Sequence, residues 1–147
     1  MATSTRSGAD VAAVVMRIGD ELWSEGNVAI VGELYAEDCM VHSGTETFRG
    51  HDGVSQWVLD TREAFPDLTL ELGEVFATEE FAAATWHMTG THDGYMKQLR
   101  LEPTGERVNM SGVVVARFED GKCVEEWGQG DQISLLAQLG LLAPSMD

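Results

Sequence analysis

The sequence predicts an α+β domain, with helices packed on one face of a curved, largely antiparallel sheet. Three observations lead there. Val11, Val14, Val15, Ile18 and Leu22 recur at helical spacing near the start of the chain. Leu68, Leu70 and Leu72 alternate with polar neighbours, as a half-buried strand does. Asp120-Gly121, set between two strand-like segments, is a strong hairpin signal. Helices come first, a meander of long strands follows, and a short helix closes the chain. Such a half-cone can enclose a pocket between sheet and helices.

Each element has its own signal. Residues 9–25 carry one apolar helical stripe, and Gly26-Asn27 stops it. A short second helix over residues 28–35 presents Ile30, Val31, Leu34 and Tyr35. Glu37-Asp38 turns the chain into a short strand over residues 39–42. Residues 50–65 form a third helix with Val54, Trp57 and Val58 on one side, and Pro66 ends it by forcing the preceding residue into extended geometry. A strand begins after Asp67, and Thr78-Glu79-Glu80 turns it into a second long strand over residues 81–91. Residues 105–118 and 122–131 make the third and fourth long strands, and an apolar helix follows from Ile133 to Gly140.

Composition narrows the function. The 147 residues suit one core, read as a domain over residues 9–147 behind a flexible N-terminus at 1–8. The net charge of −16 and pI near 4.4 argue against nucleic acid and against anionic membrane surfaces, because nothing clusters to neutralise phosphate. Cys39 and Cys123 are too few for a disulfide framework and read as reduced, packed thiols. Neither an export signal nor a bilayer-length apolar run is visible, which favours the cytoplasm.

The segment Glu126-Trp127-Gly128-Gln129-Gly130-Asp131 carries the most chemistry. Strand alternation puts Trp127, Gln129 and Asp131 on one face and leaves the glycine face bare. An indole, an amide and a carboxylate in line resemble one wall of a pocket. A carboxylate among apolar groups has its charged form disfavoured, so it can take and give a proton. Aspartate is equally a preferred helix N-cap, and Asp131 stands directly before the last helix.

Several further segments carry a family resemblance. Phe65-Pro66-Asp67, Thr89-Gly90-Thr91-His92-Asp93-Gly94, Pro103-Thr104-Gly105, Phe118-Glu119-Asp120-Gly121-Lys122, Glu126-Trp127 with Asp131, and Gln138-Leu139-Gly140 occur in one order. That ordered set, spread from about Leu34 to Gly140, resembles the SnoaL-like polyketide cyclases. The resemblance implies the cone-shaped α+β fold of nuclear transport factor 2, and cofactor-independent aldol ring closure with an aspartate at the position of Asp131 as acid and base. The fold does not by itself fix the reaction. One departure is the stretch Ala82-Ala83-Ala84-Thr85-Trp86-His87, which lacks the arginine many relatives carry.

The expected site follows. Asp131 is the candidate proton carrier, and His92 could pair with it across the pocket. The rival for His92 is a histidine fixing the Asp93-Gly94 turn. Gln129 could donate to a developing enolate oxygen or be satisfied by backbone. Trp127 could stack on a flat ligand or simply pack. Trp86 and Met88 look inward, Trp57 lines its helix, and His42 ends the early strand near the cavity opening. His87 falls on the outer surface, and His51 with Asp52 marks a helix start. The histidines have no metal-ligand spacing, and no nucleotide or nucleophile motif is present, so neither metal nor cofactor is expected.

These residues predict a cofactor-free acid/base enzyme acting on a hydrophobic, carbonyl-rich small molecule. Aldol cyclisation is the sharpest version. An isomerase, dehydratase or epoxide-opening hydrolase on the same cone competes, as does a non-catalytic small-molecule binder. Val113-Val114-Val115 makes a strand apolar on both faces, which predicts a homodimer formed through the sheets.

Overall fold

The computed structural model describes residues 7–142. It shows an α+β arrangement with N-terminal helices over a six-stranded, mostly antiparallel sheet. Helix α1 (Gly8–Arg17) opens with a capping box: Ser7 Oγ accepts from the Asp10 N–H while the Asp10 carboxylate accepts from the Ser7 N–H. Ser7 and Gly8 are therefore part of the helix start, whereas residues 1–6 of the expected flexible terminus lie outside the described residues. The helix loosens into a π-helical stretch (Ile18–Ser24) before Gly26 reverses the chain at φ +71°.

The second helix is shorter than its apolar set predicts. A 3-10 turn (Val28–Ile30) leads into α2 (Val31–Leu34), and Tyr35 already begins strand β1 (Tyr35–Ser43). Strand β2 (Glu46–Arg49) then folds back on β1, and α3 (Gly50–Ala64) runs beneath the sheet to Phe65. The long strands follow: β3 (Thr69–Ala77), β4 (Phe81–Thr91), β5 (Arg107–Glu119) and β6 (Lys122–Gly130). Helix α4 (Gln132–Gln138) is the last element among the described residues.

The strand order is β2-β1-β6-β5-β4-β3. Its one parallel pairing, β1 with β6, joins early and late parts of the chain and brings Tyr35 beside the strand that carries Glu126. The core fills the concave side of the sheet, with Val11, Leu22, Leu34, Val41, Val54, Val58, Leu68 and Phe118 buried.

Arg62 holds one end of this layer arrangement. One guanidinium nitrogen donates to the carbonyls of Trp23 at 2.8 Å, Ser24 at 3.0 Å and Leu68 at 3.0 Å, and the other to Pro66 at 3.1 Å. It thus satisfies carbonyls left open where the N-terminal helix and α3 end. Asp67 binds the hydroxyl and the N–H of Thr91, at 2.8 and 2.6 Å, tying the start of β3 to the end of β4. Gln138 makes a two-way bond with the backbone of Asn109, each at 2.8 Å, which seats α4 on β5. The motif residues Asp67, Thr91 and Gln138 therefore serve the architecture.

Candidate active site

The site is built by the rows that cross the sheet's concave face. Register aligns Ala82 with Ala116 and Glu126, then Ala84 with Val114 and Gly128, then Trp86 with Gly112 and Gly130. In the first two rows the small side chains withdraw from the helices opposite. The result is a cavity of about 480 Å³, within the range of small-molecule sites. Trp23, Trp57, Phe65, Leu70, Met88 and Met110 supply much of its apolar wall. Trp57 is the middle of an aromatic ladder: Phe48 stacks on it at 4.7 Å and Trp23 meets it edge-on at 4.7 Å. Ser43, Gly44, Thr45 and Glu46 from the β1–β2 turn, with Gln98 and Leu99, border the opening.

The third row works differently. Trp86 lies across β5 and β6, and a Cβ added to Gly112 or Gly130 would stand 2.3 or 2.8 Å from its ring. Those glycines are the bed of the indole. Gly128 has no such neighbour: a Cβ added there would meet only the His42 carbonyl, at 4.0 Å, so the hollow above it is open.

This parity reverses the expected face of β6. Glu126, Gly128 and Gly130 line the cavity, while Trp127 and Gln129 lie on the convex side. The glycine face is inward because Trp86 of β4 needs that space. Trp127 is 41% exposed and stacks on His42 at 5.9 Å. His42 itself bonds Glu125 at 2.7 Å and Thr47 at 3.2 Å, and does not line the cavity. Asp131 is exposed, and its carboxylate accepts from the Ser134 N–H at 3.0 Å as the cap of α4.

His92 is fully buried beneath the loop that follows β4. Its Nδ1 accepts from the Thr104 N–H at 3.2 Å and lies 3.0 Å from the Thr104 hydroxyl, which places the ring proton on Nε2. Nε2 has no partner among the described residues. With His92 bonded to Thr104 and Asp131 to Ser134, the expected His92–Asp131 pair does not form. Trp86, Met88 and Trp57 do line the cavity. His87 is on the convex face, bonded to Ser111 at 2.8 Å, and His51 bonds the Tyr35 carbonyl at 2.7 Å from the start of α3.

Two acids line the cavity among the described residues, exposed Glu46 at the opening and buried Glu126. The candidate proton carrier is Glu126. It is buried, and Tyr35 donates its hydroxyl to Glu126 Oε1 at 2.7 Å. Oε2 has no protein partner among the described residues. Burial pushes the Glu126 carboxyl above the usual range, and the Tyr35 bond opposes this in part. Among the described residues, no Lys, Arg or His lines the cavity. Strand alternation sets Glu126 on one face with the two glycines but does not say which face turns inward. The large indole beside it is the more conspicuous signal, and it points to the other face.

Cys39 and Cys123 are free and buried, and burial raises both thiols. Among the described residues, no three His, Cys, Asp or Glu side chains gather to hold a metal ion. No helix among them is long and apolar enough to cross a membrane.

The sequence profile of the SnoaL-like polyketide cyclases matches residues 13–139. Among solved structures, the chain is similar to AclR, a candidate hydroxylase from Streptomyces galilaeus, at 30% identity over 96% of this chain and 87% of that one, with a TM-score of 0.81. It is similar to IdmH, a candidate polyketide cyclase from Streptomyces antibioticus, at 25% identity over 88% and 98% of the two chains, with a TM-score of 0.74. A candidate polyketide cyclase from Acidithiobacillus ferrooxidans shares 26% identity over 97% and 100% of the chains, with a TM-score of 0.79. No curated protein matches the chain.

Proposed function

The chain belongs to the SnoaL-like polyketide cyclase family, and from that premise we propose that it closes a ring in a carbonyl-rich, largely apolar substrate by acid/base catalysis, with Glu126 as the proton carrier. The observation that carries this reading is a carboxyl group buried on the wall of an apolar cavity of about 480 Å³, with one oxygen uncommitted.

In the proposed reaction, Glu126 Oε2 takes a proton from a carbon flanked by two carbonyls. The enolate carbon attacks a ketone carbon of the same molecule, forming a C–C bond as the carbonyl π bond opens. The resulting alkoxide takes the proton back from Glu126. A carbon between carbonyls is already acidic, so one placed base and a folded substrate suffice. Raising the carboxyl toward neutral pH suits it to both transfers. The Trp57 and Trp86 faces suit a flat guest, and Met88 fills beside it.

The test is incubation with neutral aromatic β-keto esters bearing a pendant ketone, followed by mass spectrometry and absorbance. Ring closure yields an isomer of unchanged mass or its dehydration product. Wild type should convert the probe, and Glu126→Gln should do so slower by roughly two to four orders of magnitude. A product one oxygen heavier would instead favour the hydroxylase reading that the name of AclR raises. Retention of the probe in the cavity with no product would favour a binding protein.

A further inference from the structure

We propose that Tyr35 is the positioning residue of Glu126: by occupying Oε1 it reserves Oε2 for the substrate and fixes where the transferable proton sits. The inference rests on the reading of Glu126 as proton carrier and adds a residue that does not itself line the cavity.

Three observations support it. The Tyr35 hydroxyl lies 2.7 Å from Glu126 Oε1, and both side chains are buried. The phenol is anchored at its backbone, since His51 Nε2 bonds the Tyr35 carbonyl at 2.7 Å and the parallel β1–β6 register sets Tyr35 opposite Cys123. No other side chain bonds Glu126 among the described residues, so this one contact decides which carboxyl oxygen is engaged.

Chemistry makes the contact directional. Burial first, then the nearby Glu126 charge, holds the Tyr35 phenol well above its ordinary range, so it stays a donor at any working pH. A hydroxyl donating to a carboxylate favours the ionised form. It therefore works against the desolvation that favours the acid, and keeps Glu126 able to ionise inside an apolar chamber. The other titratable groups facing Glu126 are the thiols of Cys39 on β1 and Cys123 on β6, both held protonated by burial. Among the described residues, the cavity side offers no basic group.

The test needs no substrate. Protein carrying glutamate labelled with carbon-13 at the carboxyl carbon is titrated by NMR, and the Glu126 signal is identified by its absence in Glu126→Gln. The Glu126 midpoint should lie above the ordinary carboxylate range in wild type and move further up in Tyr35→Phe. Replacing tyrosine with 3-fluorotyrosine, a more acidic phenol and stronger donor, should move it down; Tyr95, the other tyrosine, does not bond Glu126. The fluorinated protein decides the question if Tyr35→Phe does not fold. A raised wild-type midpoint that neither change moves, or that Tyr35→Phe lowers, overturns the positioning role while leaving Glu126 as acid/base. A wild-type midpoint in the ordinary range overturns both.

Discussion

The indole of Trp86 lies over Gly130, so that a Cβ on Gly130 would meet it at 2.8 Å. Two residues earlier, Gly128 faces the same way with only the His42 carbonyl within 4.0 Å of an added Cβ. The pair predicts opposite outcomes. Gly130→Ala should displace the ring and cost roughly 1–3 kcal/mol by overpacking. Gly128→Val should leave the melting temperature nearly unchanged but fill the hollow and abolish binding of a neutral fluorescent probe such as Nile red. Thermal melts and probe titration check both, and a Gly128→Val protein that still binds the probe would remove this cavity as the site.

Glu126 makes stability depend on pH in a stated direction. Its folded-state carboxyl is raised by burial, whereas in the unfolded chain it titrates in the ordinary range. Over the interval between those midpoints the folded state holds more protons, so its contribution is full below the ordinary range and is lost as pH rises through the elevated midpoint. Glu126→Gln removes that loss. The melting temperature of the variant minus that of wild type should grow with pH across this window and then level off, and a difference that shrinks with pH would contradict the burial of an ionisable Glu126.

Asp131 is expected to matter for stability alone. Asp131→Ala removes the cap of α4, worth about 1 kcal/mol. Helix α4 stays seated through Leu135, Leu139 and the Gln138–Asn109 bonds. Chemical denaturation should show the small loss, with ring-closing turnover within a few-fold of wild type. A fall as deep as that of Glu126→Gln would return the proton-transfer role to Asp131.

The convex face carries an apolar row. Register aligns Phe76, Ala83, Val115 and Trp127 across four strands, with Val113 alongside; Phe76 is 66% exposed and Val113 51%. A patch of this kind is the surface on which two copies are expected to pair. Sedimentation should give a dimer at micromolar concentration for wild type and a monomer for Val115→Glu. A monomeric wild type would count against the pairing.

Much of the frame is legible in the sequence because its signals are local. Pro66 ends α3, Leu68, Leu70 and Leu72 alternate, and Asp120-Gly121 turns β5 into β6 at φ +51° and +79°. Strand β2 gives no such signal, because Glu46 to Arg49 is only four residues at the sheet's edge, with Phe48 its one apolar side chain. The β1–β6 pairing joins distant residues and leaves no local trace. The site is hidden for a related reason. Which face of β6 turns inward depends on Trp86, a residue of another strand, so the spacing within Glu126–Asp131 could not decide it. Tyr35 reads in sequence as one more apolar residue of a helix, although its hydroxyl meets an acid 91 positions along the chain.

Arg62 fixes one end of the layers that enclose the cavity. Its four bonds tie the end of the N-terminal helix to the segment between α3 and β3. Gly44, Thr45, Glu46, Gln98 and Leu99 line the cavity and are themselves exposed, so the cavity meets solvent there. A guest larger than the cavity of about 480 Å³ has to leave part of itself outside.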